Sequence, residues 1–185
     1  MKNLFCLMLL ALAAAFVVPA ASAQVNPMVG GAPMLRTKDI VDNAVNSQDH
    51  TTLVAAVKAA GLVDTLKGKG PFTVFAPTNA AFDKLPSGAV STLLRPENKG
   101  MLTKVLTYHV VAGKYDAKKL MSLVKKGGGR ATLRTVSGDT LTATANGMGG
   151  VALTDEKGGM SNVTIANVYQ SNGVIHVVDT VLMPN

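Results

Sequence analysis

The sequence predicts an α+β domain in which helices pack on one side of an antiparallel sheet, and three observations carry that prediction. From Thr37 to Lys126 the apolar residues recur at helical spacing, interrupted by one short strand-like run, Phe72 to Pro77. From Arg130 onward the spacing becomes alternating, with turn residues between the runs. A second punctuated apolar run, Val174 to Pro184, then closes the chain.

Ile40, Val41, Ala44 and Val45 give a first helix over Thr37 to Val45. Asp49 or Thr51 can cap a second, whose Leu53, Val54 and Val57 share a face and which Gly61 ends. Leu62, Val63 and Leu66 add a short helical turn, and Gly68 and Gly70 release the chain into a strand through Thr73, Val74 and Phe75. Pro77 has no amide hydrogen, so ladder pairing stops there. Thr78 or Asn79 then caps a helix that turns Phe82 inward, and Ser87 suits the start of another carrying Val90, Leu93 and Leu94. Pro96 and Glu97 fit the first turn of a helix that points Leu102, Val105 and Leu106 at the core. Leu106 to Tyr115, ended by Gly113, leads to Asp116. Asp116 caps a helix with Leu120, Met121, Leu123 and Val124 on its apolar side and lysines on the other, stopped by Gly127-Gly128-Gly129.

The strands follow. Thr132 to Val136 and Thr140 to Thr144 flank Ser137-Gly138-Asp139, a three-residue hairpin signal. Asn146-Gly147 and Gly158-Gly159 mark turns around Val151 to Thr154, Val163 to Tyr169 and Val174 to Asp179.

Residues 1–23 read as a removable leader: Lys2, an apolar run from Leu4 to Val18, and Ala21-Ser22-Ala23 before the cut. Residues 24–36, with Pro27, Gly30, Gly31 and Pro33, read as a flexible lead-in, and 37–185 as one domain. Cys6 is the single cysteine and falls in the leader, so the exported chain is expected to hold together by core burial without disulfides. No later run is apolar and long enough to span a bilayer. The expectation is a secreted protein, periplasmic or extracellular, and a monomer.

Without Lys2 the 18 basic residues fall to 17 against 11 acidic, a net of +6. Between residues 114 and 134 lie Lys114, Lys118, Lys119, Lys125, Lys126, Arg130 and Arg134 against Asp116 alone, so this window holds the whole excess. Such a field attracts anionic partners and is screened by salt.

The run T-V-F-A-P-T-N-A-A-F (Thr73 to Phe82), the segment L-T-Y-H-V-V-A-G-K-Y (Leu106 to Tyr115) and the closing V-I-H-V-V-D-T-V-L-M-P (Val174 to Pro184) occur in this order. Together they resemble the two end motifs and the central tyrosine-histidine motif of the fasciclin (FAS1) domain family. That resemblance implies a FAS1-like wedge of about seven strands with several short helices on one side. It also implies an extracellular adhesion module without chemistry of its own, contacting a cell-surface protein or acidic glycan. In animal members the Tyr-His motif is linked to integrin recognition, which makes Tyr108 and His109 binding candidates beside the basic residues.

Chemical alternatives find little footing. His50, His109 and His176 have no metal-ligand spacing, and no G-x-S-x-G elbow is present, so no enzyme, metal or cofactor is expected. Gly147, Gly149 and Gly150 precede a strand-like run rather than a helix and so read as turn residues. Without tryptophan, and with few aromatics, the chain lacks a stacking surface for specific nucleic-acid binding. The alternative function is a carrier for a small apolar ligand or tetrapyrrole in a cleft between helices and sheet. Met28, Met34, Met101, Met121, Met148, Met160 and Met183, with His50, His109 or His176, would be its candidate ligands.

Overall fold

The computed structural model describes residues 26–147 and 149–185; the expected leader, residues 1–23, lies outside them. In chain order the elements are β1 (Met28–Val29), β2 (Ala32–Pro33), α1 (Ile40–Ala44), α2 (Thr51–Ala60), α3 (Val63–Lys67), β3 (Phe72–Pro77), α4 (Asn79–Asp83), α5 (Ala89–Leu93) and α6 (Lys99–Tyr108). They continue as β4 (Val110–Ala112), α7 (Ala117–Lys126), β5 (Arg130–Arg134), β6 (Thr140–Ala145), β7 (Val151–Thr154), β8 (Met160–Gln170) and β9 (Gly173–Val178).

Seven strands form one sheet in the order β4-β3-β9-β8-β7-β6-β5. The two punctuated runs that bracket the sequence lie side by side, Phe72 opposite Gly173 through to Pro77 opposite Val178. This pair is parallel, whereas the expectation was an antiparallel sheet throughout; the other pairings are antiparallel. A parallel pair needs a long crossover, and residues 78–172 supply it. Beyond β5 the sheet meets its own far edge: Thr135 bridges Val111, and the Val136 N–H donates to the Val110 carbonyl at 2.8 Å. The result is a sheet curled nearly into a barrel.

Alternation along each strand separates two cores. Val74 and Ala76 of β3 and Ile175 and Val177 of β9 face a helical layer through Ile40, Leu53, Val57, Leu102 and Leu106. Phe75 and Val178 face the other way, onto Leu133, Leu141, Ala143 and Leu153 from the far side of the curl. The helical layer lies on one side of the sheet, as expected, with one exception. Helix α7 buries Leu120 and Val124 in the second core, so it stands over β5 and β6 rather than beside the other helices.

The expected flexible lead-in is, over residues 27–34, a hairpin. Gly30 and Gly31 have φ of 57° and 76°, the pair of positive values a two-residue turn of matching twist requires. Val29 and Met34 insert into the core, and the Gly30 carbonyl accepts the Gln48 N–H at 3.1 Å. Two caps also differ from expectation. The start of α2 is closed from across the fold, where Asn79 Oδ1 accepts the Thr52 N–H at 3.0 Å and the Thr51 hydroxyl at 3.2 Å. Gly88, not Ser87, precedes α5, and no side chain caps that helix.

Candidate interaction surface

The Tyr108–His109 pair sits where α6 runs into β4, and both side chains are buried. The Tyr108 hydroxyl donates to the Thr140 carbonyl at 2.7 Å and accepts the Glu156 N–H at 3.3 Å. Burial pushes its pKa up to about 12. His109 Nδ1 donates to the Val105 carbonyl at 2.8 Å, and Nε2 accepts the Leu182 N–H at 3.0 Å. That donor and acceptor pattern fixes one neutral tautomer, and burial holds the imidazole below its ordinary pKa. The pair therefore ties α6 to β6, to the turn before β8 and to the C-terminal segment. In the isolated chain neither side chain reaches the surface.

The basic surface begins at the loop between β4 and α7, which polar groups of the sheet hold in place. Thr73 Oγ1 donates to the Gly113 carbonyl at 2.7 Å and accepts the Tyr115 N–H at 2.9 Å. His176 Nε2 donates to the Tyr115 carbonyl at 2.7 Å, and its buried Nδ1 has no partner among the described residues. Burial depresses the His176 pKa, because protonation would bury an unsatisfied N–H. Asn167, at φ 62° beside a bulge of β8, accepts the Ala117 N–H, and Asp116 Oδ1 accepts the Lys119 N–H, both at 2.8 Å. Four side chains thus fix where α7 starts and which way its lysines point.

All seven predicted basic residues are exposed: Lys114 on the loop, Lys118, Lys119, Lys125 and Lys126 on α7, and Arg130 and Arg134 on β5. Among the described residues none of them has a carboxylate within 4.0 Å; the ion pairs involve Lys67, Arg95 and Lys104 instead. Sequence reasoning missed three neighbours. Arg36 lies 4.6 Å from the centroid of the Tyr169 ring and Lys114 lies 4.9 Å from the same centroid, while Lys119 lies 4.3 Å from that of Tyr115. Tyr115 and Lys119 are four positions apart, but Arg36 and Lys114 meet at Tyr169 only through the packing of distant segments, which leaves no local signal.

An apolar cavity of about 60 Å³ lies between α1, α2, α3, α6 and β3, walled by residues such as Leu53, Leu66, Phe72 and Ile175. An engineered apolar void of roughly 150 Å³ takes up benzene, and this cavity is smaller; a more open cleft of about 340 Å³, lined by Met101, Lys104, Met183 and Asn185, lies beside α6. His109 on its wall already uses both ring nitrogens, and Met34 is packed in the core. Met148 lies outside the described residues. Among the described residues no three His, Cys, Asp or Glu side chains gather as a metal site.

A family model for the Fasciclin domain matches residues 48–184. The chain belongs to the fasciclin family. It is 46% identical to Protein sll1483 of Synechocystis over 147 residues, which is 78% of this chain and 73% of that protein. It is 33% identical to the cell surface glycolipoprotein MPB83 of Mycobacterium bovis, over 86% of this chain and 67% of that one. Among solved structures, the FAS1 domain pair of the insect cell adhesion molecule Fasciclin I superposes with a TM-score of 0.71 at 20% identity. That match covers 79% of this fasciclin chain and about half, 51%, of the insect one, and it shows the fold to be that of a FAS1 domain.

Proposed function

We propose that this fasciclin-family protein acts outside the cytoplasm, secreted or periplasmic, as an adhesion-type interaction module. It works as a single copy and docks on an anionic cell-surface or matrix component, protein or glycan. The observation that carries this reading is the row of seven exposed, carboxylate-free cations on a loop, helix and strand held in fixed relation. A relative whose name places it at the cell surface supports the setting. The mechanism is electrostatic complementarity: the local field speeds encounter and orients the partner, and salt screens it. Tyr108 and His109 serve it by position, fixing the end of α6 from which β4 leads to Lys114. No reacting group is assigned, and the protein is not an enzyme in this reading.

The test is the quadruple variant Lys118→Gln, Lys119→Gln, Lys125→Gln and Lys126→Gln, passed over an anionic glycan matrix at low and moderate salt. The expected result is earlier elution and a shallower salt dependence than wild type. Retention equal to wild type at every salt would remove the basic surface from the function.

A further inference from the structure

We infer that the recognition centre of this surface is the cluster of cations around Tyr169 and Tyr115, and that its partner is a polysaccharide bearing sulfate or carboxylate groups. The inference rests on the proposed use of the basic surface and narrows it to a place and a ligand class.

The cluster joins segments distant in sequence. Arg36 comes from the lead-in, Lys114 and Tyr115 from the loop after β4, Lys119 from the first turn of α7, and Tyr169 from β8. With Arg36 and Lys114 at 4.6 and 4.9 Å from one centroid, the two charges lie less than 10 Å apart. Lys119 Nζ also donates to the Lys114 carbonyl at 3.2 Å. A ring quadrupole orients a cation without neutralising it, so the charges keep N–H groups for a ligand, Lys119 all but the one it gives to the Lys114 carbonyl. Like charges repel, and the arrangement gains most when an anion sits between them.

Asp116 is a carboxylate in contact with the cluster, and both its oxygens are engaged. Oδ1 accepts the Lys119 N–H, and Oδ2 accepts the Tyr169 hydroxyl at 3.4 Å. It orients the ring rather than pairing a cation. The backbone beneath Arg36 is also tied down: the Leu35 N–H donates to Asn43 Oδ1 at 2.9 Å, and the Lys38 carbonyl accepts the Ser171 N–H at 3.0 Å. Such preorganisation lowers the entropic cost of gripping a ligand. The free amines at the far end of α7, Lys125 and Lys126, have no comparable bonds among the described residues.

Three features favour a polysaccharide over other polyanions. A cation already lies against each of the two half-buried rings and competes there with any stacking nucleobase. None of the large exposed apolar residues, Met28, Val45, Met101, Val136 and Met160, belongs to the cluster, whereas insertion into a bilayer calls for apolar side chains among the charges. Beyond the other end of α7, the outward side of β5 and β6 sets Arg130, Thr132 and Arg134 across from Thr144, Thr142 and Thr140. Guanidinium groups alternating with hydroxyls match a chain of hydroxylated rings with anionic substituents. Helix α7 spans about 15 Å between the two ends, a distance one flexible polymer chain can bridge.

The deciding experiment titrates a sulfated heparin-type octasaccharide into wild type, the pair Arg36→Gln/Lys114→Gln, the pair Lys125→Gln/Lys126→Gln, and Tyr169→Leu. Each pair removes two charges. The cluster pair is expected to weaken binding about tenfold, the α7 pair about two- to threefold, and Tyr169→Leu about threefold with charge unchanged. Equal losses for the two pairs would overturn the cluster as the centre, even where the quadruple glutamine variant still loses retention and the broader reading stands. Amide shifts of wild type during the same titration guard against a folding defect: they should be largest at residues 36, 114–119 and 169, and shifts confined elsewhere refute the placement. Anionic phospholipid vesicles and duplex DNA form the other arms. Tighter, cluster-dependent binding to either would assign the site to that polyanion and overturn the polysaccharide.

Discussion

Tyr108 and His109 stand only a few residues before Lys114, yet the two regions treat their polar atoms in opposite ways. In the first, a phenol hydroxyl and both imidazole nitrogens find partners within the fold. In the second, seven cations stand in solvent without a carboxylate within 4.0 Å among the described residues. Removing a partner from a closed network leaves buried groups unsatisfied, whereas removing an exposed charge leaves nothing unsatisfied. Substitution in the first region should therefore act on folding, and in the second on association.

The largest effect on folding is expected for His109→Ala. It orphans the Leu182 N–H and the Val105 carbonyl and empties part of the core, and should lower unfolding free energy by about 3–5 kcal/mol in denaturant titration. A loss under about 1 kcal/mol would mean that the contact holds little together. Acid comes next. Burial depresses His50, His109 and His176 alike, so between the unfolded histidine pKa, about 6.5, and the lower folded values the unfolded chain binds more protons. Stability is then complete above that window and lost as pH falls through it, by up to about 1.4 kcal/mol per pH unit for each histidine; a melting temperature flat from pH 7 to 5 contradicts this.

Tyr108→Phe keeps the ring and removes only the hydroxyl between Thr140 and Glu156, for an expected loss of about 1–2 kcal/mol in the same titration. The smallest effect belongs to the quadruple glutamine variant of α7, whose stability should stay within about 0.5 kcal/mol of wild type by thermal melting. A larger loss there would blur the contrast between the two regions.

What the sequence discloses and what it hides divide along the same physical line. Thr78 and Asp116 cap α4 and α7 as their spacing demands, Gly61 ends α2 in the left-handed region, and β5 and β6 alternate, because all of these depend on residues a few positions apart; β5 runs Arg130–Arg134 rather than Thr132 to Val136, since Thr135 and Val136 pair with β4 instead. The cap on α2 comes from Asn79, and the parallel neighbour of β3 is β9. Neither leaves a local pattern. The basic residues themselves were readable as a charge count, but the convergence of Arg36 and Lys114 on Tyr169 was not, since it depends on how three distant segments pack. Burial of the Tyr-His pair likewise follows from the strands and C-terminal segment laid over it.

The seam between Val111 and Thr135 has a consequence for behaviour in a crowd. A sheet normally offers its two outermost strands as templates on which other chains can grow into fibrils. Here those strands are turned toward each other; one is only three residues long, and the other carries an arginine at each end. A chain whose single cysteine is Cys6 has no internal crosslink with which to police misassembly. Closing the sheet on itself offers a different safeguard: it withholds the exposed backbone from which aggregation would nucleate.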